Sequence, residues 1–249
     1  MKILVCGGAG YIGSHMVRLL LEERHEPVTL DNLSTGHADA VGGSPLLVGD
    51  VLDDAFLDSV FADHGPFDLV MHFCARSLVG ESVLKPHLYY ENNVTGTLRL
   101  LDAMRRFDHQ RLVFSSTAAT YGVPHTEAID ENHPCSPINP YGTSKLMSEW
   151  MLRDLSAATP LRHVALRYFN VYGPREQHKG SMASVAFHFN NQVVADAATT
   201  TTGAGGCCFS ASAGSPVANA ASAAAVALDS IASNAPRSNR TETMGPEMT

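Results

Sequence analysis

Lysine and clustered positive charge are scarce in this chain. Only four of its 249 residues are lysine, and Asp plus Glu outnumber Lys plus Arg by 25 to 17, which gives a formal net charge of -8. Proteins that bind nucleic acid or anionic membranes do so through basic patches on their surface. The charge pattern therefore excludes both kinds of partner.

Cysteines and long apolar runs are also few. The five cysteines are an odd number and lack the spacing of a disulfide framework or a zinc site, so we expect reduced thiols, no bound metal and a cytoplasmic location. No apolar run is long enough to cross a bilayer. The first apolar run ends at Gly7, which is too short for a secretion signal and predicts a strand instead.

Apolar runs and amphipathic stretches alternate over the first 170 residues. The short runs are typical of buried parallel strands, and the stretches with apolar residues at helical spacing predict helices. This alternation predicts an α/β fold, a Rossmann-like doubly wound parallel sheet that binds ligands at the carboxyl ends of its strands. We predict strands at 2–6, 27–30, 45–48, 67–73, 111–114 and 162–169, and helices at 11–23, 55–61, 86–107 and 141–155.

A glycine-rich turn, Gly7-x-x-Gly10-Tyr-Ile-Gly13, joins the first predicted strand to the first helix. Without side chains, the backbone can approach a pyrophosphate closely, and the helix N-terminus faces its negative charge. An ordinary tight turn uses the same glycines, but the strand–turn–helix context favours a dinucleotide site. We expect Tyr11 and Ile12 to contact the cofactor with these glycines.

Two aspartates follow the next predicted strands. Asp31 ends the second strand, where a carboxylate accepts hydrogen bonds from a ribose diol and repels a 2′-phosphate, which favours NAD over NADP. A helix or loop cap is the alternative for Asp31. Asp50 follows the third strand, where it either meets the adenine or belongs to a turn.

Tyr141 and Lys145 lie one helical turn apart. A phenol is a poor base at neutral pH, but a lysine at this spacing lowers its pKa by charge. We predict that Tyr141 is the acid/base, and that Lys145 lowers its pKa and holds the nicotinamide ribose. Thr117, at a strand end, either contacts a substrate hydroxyl or caps the backbone. A packed Tyr141 and a solvated Lys145 are the alternative.

The order of these motifs resembles that of the extended short-chain dehydrogenase/reductase family. The residues that carry the resemblance are the glycine turn, Asp31, Ser115-Ser-Thr117-Ala-Ala-Thr-Tyr121-Gly, Tyr141-x-x-x-Lys145 and Arg167-Tyr-Phe-Asn170. Within that family, residues 1–170 are similar to the UDP-glucose 4-epimerases. The narrower match rests on Asp31-Asn-Leu-Ser-Thr-Gly36, His72-Phe73, Val79-Gly-Glu-Ser82, Tyr89-Tyr-Glu-Asn-Asn93-Val-Thr-Gly-Thr97 and Ser144-Lys-Leu-Met147.

The resemblance implies a mechanism with tightly bound NAD. Tyr141 takes the proton of the sugar 4-hydroxyl while hydride passes to the nicotinamide, the 4-keto sugar turns over in the site, and hydride returns to its other face. Thr117 matches the proton relay, and Asn170 a contact on the substrate side. Ser77 stands where a lysine is often found. Cofactor contacts are implied at Asn93, Asn32, Asp50, Val51, Phe73 and Lys145.

A second resemblance begins within the first. Residues 167–192 are similar to the ADP-glycero-manno-heptose 6-epimerase family, in which the lysine matching Lys179 belongs to the active site. The alternatives for Lys179 are a lysine that positions a phosphate and one that is merely exposed. This segment keeps an ADP-heptose 6-epimerase open as an alternative function.

The composition changes sharply after about residue 193. Residues 194–249 contain one aromatic residue and no lysine and are rich in Ala, Ser, Thr and Gly, so we expect weak packing or disorder. We therefore divide the chain into an NAD-binding domain, 1–192, and a low-complexity tail, 193–249. The substrate lobe of the two families has no counterpart there, which predicts an incomplete or atypical lobe. A shifted reading frame and a genuine short form both explain it.

Three functions remain open from the sequence. The first is an NAD-dependent epimerase that converts UDP-glucose and UDP-galactose, the second is the ADP-heptose 6-epimerase, and the third is a truncated NAD-binding remnant without catalysis. The small-molecule partner of the first two is a nucleotide sugar. The predicted helices 86–107 and 141–155 are candidates for pairing between subunits of a homodimer, although core helices show the same apolar stripes.

Overall fold

The computed structural model describes residues 1–176 and the backbone of 240–243. The strands described form a single sheet with the order β3-β2-β1-β4-β5-β6-β7, and each neighbouring pair is parallel. This arrangement confirms the predicted doubly wound sheet. The strands are β1 Lys2–Cys6, β2 Glu26–Asp31, β3 Leu46–Val48, β4 Leu69–His72, β5 Arg111–Thr117, β6 Arg162–Tyr168 and β7 Arg240–Thr243.

Helices connect the strands and cover both faces of the sheet. They are α1 Tyr11–Glu22, α2 Asp54–His64, α3 Val79–Leu84, α4 Pro86–Tyr89, α5 Gly96–Arg106 and α6 Pro140–Ala158, with 3-10 helices at Ala38–Val41 and Ala118–Thr120 and a π-helical turn at Tyr90–Thr95. None of the helices in the described residues is both long and apolar enough to span a membrane.

The strand β1 shows why this sheet needs a nearly continuous apolar run. Leu4 and Cys6 pack in the cluster that contains Leu57 of α2 and Leu100 of α5. The alternate residues Ile3 and Val5 pack in a second cluster with Met16 and Leu20 of α1. Because both faces are covered, both alternating sets must be apolar, which is the pattern of a central parallel strand.

The fifth strand extends beyond the predicted end at residue 114. Ser115, Ser116 and Thr117 continue the parallel ladder, opposite Leu166–Tyr168 of β6. Their side chains are polar, but their backbone groups are paired like those of the apolar residues before them. The extension places Ser116 and Thr117 on the carboxyl edge of the sheet.

The predicted helix 86–107 is three consecutive helical pieces. A π-helical turn, Tyr90–Thr95, separates α4 from α5. Asn93 lies in this turn, and its side chain is buried and bonded to two other segments. Such turns interrupt α-helices mostly at functional sites, and the apolar periodicity of the sequence gave no sign of it.

The strand β7 comes from the segment for which the sequence predicts weak packing. Its backbone adds a parallel pairing to β6, with Ala165 opposite Thr241. Residues 177–239 and 244–249 lie outside the described residues. The division of the chain at residue 193 stays a prediction.

Candidate active site

The glycine turn after β1 is compact because backbone atoms fill the space of the missing side chains. Gly7 has a φ of +80°, and a Cβ there would lie 2.6 Å from the amide nitrogen of Cys74. A Cβ on Gly13 would lie 2.1 Å from the carbonyl oxygen of Gly7. Both positions therefore require glycine, and the turn holds the start of α1 against the end of β1.

The N-terminus of α1 is open to an anion. Gly10 precedes the helix, no side chain caps it, and its first turn contains no acidic residue. The backbone N–H groups of a first helical turn have no partner within the helix, so those of Tyr11 and Ile12 suit a phosphate. Burial raises the pKa of the Tyr11 phenol to about 12.

Asp31 is fixed at the end of β2 beside the turn. Its Oδ2 accepts a hydrogen bond from the backbone N–H of Ala9 at 3.0 Å, and its Oδ1 accepts one from that of Leu33 at 2.8 Å. The residue is 6% exposed. These bonds orient the carboxylate on the glycine turn and leave further acceptor capacity on each oxygen.

Asp50 has the geometry of a turn aspartate. Its Oδ1 accepts from the backbone N–H of Leu52 at 2.9 Å, and its Oδ2 accepts from Nδ2 of Asn32 at 2.7 Å. The bond to Leu52 is an Asx turn, and the bond to Asn32 connects the ends of β3 and β2. Val51 beside it is 3% exposed.

Asn93 connects the loop after β4 to α6. Its Oδ1 accepts from the backbone N–H of Arg76 at 2.9 Å and from Nδ2 of Asn92 at 2.9 Å. Its Nδ2 donates to the carbonyl oxygen of Arg76 and to Oγ of Ser144, each at 3.0 Å. The amide is thus fully used by protein groups. Phe73 begins the same loop and donates its backbone N–H to Cys6 at 2.7 Å.

Helix α6 brings Tyr141 to Thr117. The side chain of Asn139 caps the helix by accepting from the backbone N–H of Gly142 at 2.8 Å. A Cβ on Gly142 would lie 2.5 Å from the carbonyl oxygen of Ala119, so the helix start rests directly on the turn after β5. At this contact the side chain of Thr117 lies beside Tyr141 and acts to lower the pKa of its phenol. Thr117 also caps the turn, because its Oγ1 accepts from the N–H of Ala119 at 3.2 Å.

The pKa of Tyr141 differs from the sequence prediction. Burial raises it, and the neighbouring side chain of Thr117 opposes that rise. The prediction that Lys145 lowers the pKa of Tyr141 is therefore wrong in direction, because removal of the phenolate from water decides the shift.

Lys145 is buried against the end of β5. Its Nζ donates to the carbonyl oxygen of Ser115 at 2.7 Å and lies 4.7 Å from the ring centre of Phe114. Only 2% of the residue is exposed, so the predicted alternative of a solvated lysine is wrong. Burial lowers the pKa of Lys145 to about 8, while the nearby Cys74 and Glu149 act in the opposite direction.

The sequence analysis assigned no role to His72, which ends β4. It is 1% exposed, and its Nε2 lies 2.9 Å from Oγ1 of Thr97. Since that hydroxyl donates its hydrogen to the carbonyl oxygen of Asn93 at 2.6 Å, Nε2 of His72 must be the donor. Burial, followed by the charge of Lys145, lowers the pKa of His72 to about 3, so the ring is neutral.

Of the two residues predicted on the substrate side, the structure describes one. Asn170 is exposed and follows β6 by two residues, so it lies at the same edge of the sheet as Thr117. Lys179 lies outside the described residues. The structure thus brings the glycine turn, Asp31, Tyr141 and Lys145 to the carboxyl edge, where doubly wound sheets bind ligands.

These features define a Rossmann-like α/β protein with a dinucleotide-type glycine turn on one edge of its sheet, together with a half-buried Tyr141 and a buried Lys145. The chain belongs to the NAD dependent epimerase/dehydratase family, whose sequence pattern matches residues 3–209.

Similar proteins include several UDP-glucose 4-epimerases. That of Halalkalibacterium halodurans is 52% identical over 173 residues, which are 70% of this chain and 52% of that protein. That of Azospirillum brasilense is 49% identical over 189 residues, which are 75% of this chain and 54% of that protein. The chain therefore spans about half the length of the relatives it matches.

Solved structures that are similar to this chain also include UDP-glucose 4-epimerases. The UDP-glucose 4-epimerase from Brucella ovis in complex with NAD is 50% identical, with a TM-score of 0.67 over 69% of this chain and 53% of that one. The Thermus thermophilus UDP-glucose 4-epimerase complex with NAD is 41% identical, with a TM-score of 0.70 over 73% of this chain and 59% of that one.

The buried Lys145 makes stability depend on pH. Its pKa falls from 10.5 to about 8 on folding, so below pH 8 the folded state carries the full cost of a buried ammonium, about 3 kcal/mol. That cost disappears as pH rises from 8 to 10.5. Urea unfolding should show wild-type stability rising over this range relative to K145M. The control K85M, which changes an exposed lysine, should keep the wild-type slope; equal slopes for K145M and wild type would contradict the assignment.

Proposed function

We propose that this protein is an NAD-dependent epimerase that converts UDP-glucose and UDP-galactose through a transient 4-keto sugar. The observation that carries the proposal is that Tyr141 lies beside Thr117 on the sheet edge that also holds the glycine turn. The identity of 52% to a UDP-glucose 4-epimerase supports this choice of substrate.

The residues at this edge fit NAD. The uncapped start of α1 suits the pyrophosphate, and the spare acceptor capacity of Asp31 suits the diol of the adenosine ribose. When bound, NAD supplies the reversible hydride acceptor. The residues we assign to its site are Gly7, Gly10, Tyr11, Ile12, Gly13, Asp31, Asn32, Asp50, Val51, Phe73, Asn93 and Lys145.

The contacts of Asn93 and Asp50 favour indirect roles for both. The side-chain amide of Asn93 is hydrogen-bonded to Arg76 in the loop after β4 and to Ser144. It therefore fixes the shape of the loop that lines the proposed cofactor site. Asp50 similarly fixes Asn32. Both residues remain in the proposed site as groups that orient its lining.

Tyr141 is the group that we assign to the sugar 4-hydroxyl. Its raised pKa keeps the phenol protonated at neutral pH, which is the form that returns a proton to a ketone oxygen. For the opposite step the phenol must lose its proton, and the neighbouring side chain of Thr117, which acts to lower the pKa of Tyr141, favours the resulting phenolate. Thr117 therefore serves as the relay, and Lys145 as the cation that orients the nicotinamide ribose.

Substrate binding is assigned to the edge of the sheet beyond β6. Asn170 is the exposed residue at the site edge that we assign to the sugar nucleotide. Because the chain spans about half the length of its relatives, an NAD-binding protein without turnover is the competing function. Lys179 lies outside the described residues, so its role in an ADP-heptose epimerase stays a prediction.

Replacement of Tyr141 by Phe tests the proposal. Y141F removes the hydroxyl that handles the proton, so the conversion of UDP-galactose should fall at least ~100-fold in a coupled assay. NAD content after purification should be unchanged, because the variant keeps the ring.

The control for this test is Y172F, which alters an exposed tyrosine after β6 and should keep full activity. Full activity in Y141F would contradict the role of Tyr141. A wild-type protein that holds NAD without turnover would contradict the epimerase function.

We also propose a homodimer formed by the outer faces of α5 and α6. Leu98 of α5 is 45% exposed and Trp150 of α6 is 49% exposed, and the two helices contact each other. A second copy of the chain would cover these apolar side chains.

The double substitution L98E/W150E should convert the protein to a monomer, because two carboxylates cannot be buried unpaired in such an interface. Light scattering after size-exclusion chromatography measures the mass. The control V123E, on an exposed loop residue, should leave it unchanged. A dimer in L98E/W150E, or a monomer in the wild type, would contradict the proposed interface.

A cytoplasmic location completes the proposal. The cysteines of the described residues, Cys6, Cys74 and Cys135, are free thiols, which suits a reducing compartment. Fractionation of the source cells would test it; recovery in a secreted or membrane fraction would contradict it.

A further inference from the structure

Three functional side chains form one stripe on α6. Tyr141, Lys145 and Glu149 are spaced by four residues, so they lie above one another on the same helix face. Glu149 is 8% exposed and the neighbouring Lys145 is 2% exposed. Two buried charges of opposite sign thus follow the tyrosine along the helix.

Each of the last three residues of β5 contacts a different member of this stripe. Lys145 donates from Nζ to the carbonyl oxygen of Ser115 at 2.7 Å. The next residue, Ser116, donates from Oγ to Oε1 of Glu149 at 2.5 Å.

The third contact of the stripe is the reacting pair itself. Thr117 follows Ser116 in β5, and its side chain lies beside Tyr141. The three contacts join one strand end to one helix face, so a shift of α6 along β5 would break all of them. The Tyr141–Thr117 geometry is therefore coupled to the bond between Ser116 and Glu149.

Arg167 fixes the glutamate from the neighbouring strand. It lies opposite Ser116 in the β5–β6 register. Its Nε donates to Oε1 of Glu149 at 3.0 Å, and its Nη2 donates to Oε2 at 2.6 Å. Such a bidentate pair orients the carboxylate. The guanidinium also lies 4.8 Å from the ring centre of Tyr121, in the turn that follows Thr117.

We propose that Glu149, held by Arg167 and Ser116, is a positioning residue of the site: it fixes α6 on the ends of β5 and β6 and places a carboxylate charge behind Lys145. The hydrogen bonds of Glu149 with Ser116 and Arg167 are observed in the structure. Their catalytic consequence rests on the proposed function.

The charge of Glu149 acts on Lys145 in a defined surrounding. The titratable groups that face Lys145 are His72 from β4, Cys74 from the loop after β4, and Tyr141 and Glu149 from α6; β5 contributes a carbonyl oxygen and the ring of Phe114. His72 is neutral, and burial raises the pKa of Cys74, so that thiol is neutral as well. Glu149 is therefore the anion that favours the ammonium form.

The substitution E149Q separates charge from shape, because Gln keeps the size of Glu. We expect E149Q to lower the titration midpoint of Lys145 by roughly one pH unit. The measurement is an NMR titration of protein labelled with carbon-13 lysine, since four lysines give few signals. The variant K145M identifies the signal of Lys145.

The matched control is S116A, which removes a hydrogen bond to the same carboxylate but keeps its charge. S116A should leave the midpoint of Lys145 unchanged, whereas a general loosening of the site would shift it in both variants. Equal midpoints in E149Q and the wild type would overturn the proposal, as would equal shifts in E149Q and S116A.

A second variant covers the case in which E149Q unfolds with Arg167 left unpaired. The double substitution E149Q/R167M removes both charges, and buried ion pairs tolerate replacement by neutral groups of similar volume. We expect its Lys145 midpoint to lie below that of the wild type as well. An unchanged midpoint in the folded double variant would overturn the proposal.

Turnover distinguishes the proposal from the proposed function. If the wild type converts UDP-galactose, the E149Q pH profile should move in the direction of the Lys145 midpoint; a profile that stays fixed while the midpoint moves would refute the catalytic consequence. If the wild type shows no turnover, the epimerase function fails, and the NMR titration still decides the role of Glu149.

Discussion

The contact between the start of α6 and the carboxyl end of β5 is the constraint on which the site depends. Gly142 is required there because any side chain would meet the carbonyl oxygen of Ala119. The close approach brings Tyr141 to Thr117 and Lys145 to Ser115. Hydrogen bonds direct this contact, whereas the apolar clusters of the sheet would tolerate small shifts of the helix.

The same helix is tied to the cofactor side of the molecule. Ser144 and Ser148 of α6 bond the side chain and the backbone of Asn93, and Asn93 holds the loop after β4 at Arg76. The glycine turn lies on that loop, since Gly7 has no room for a Cβ beside Cys74. A continuous series of short contacts thus runs from the proposed pyrophosphate site to the proposed proton-handling group, and it fixes their separation.

Local pattern was sufficient for the parts of the fold that local physics decides. A central strand such as β1 is apolar on both faces, and a strand–glycine–helix turn has few other uses, so both were predicted at their observed positions. Thr117 was predicted at a strand end, but the apolar run that defined the predicted strand stopped at residue 114; residues 115–117 are polar and are paired by a strand that follows much later in the chain. The π-helical turn at Asn93 was not predicted for a similar reason, since the hydrogen-bonding partners of Asn93 come from two distant segments.

The candidate site likewise contains residues that the sequence predicted and properties that depend on the folded structure. Residue types and spacing identified Tyr141 and Lys145, but the direction of the Tyr141 pKa depends on burial, which one helix cannot reveal. No role was predicted for Glu149 or for the side chain of Arg167, because their pairing joins a helix to a strand that follows it in the chain, and both are buried in the folded protein.

We propose that Tyr141 moves the hydroxyl proton at this edge of the sheet and that NAD, when bound, would keep the hydrogen of sugar carbon 4. Conversion of UDP-galactose in deuterium oxide, with NMR analysis of the product, distinguishes this mechanism from exchange of that hydrogen with solvent. We expect UDP-glucose with no deuterium at carbon 4. Deuterium at that carbon, or NAD-loaded protein that forms no UDP-glucose, would contradict it.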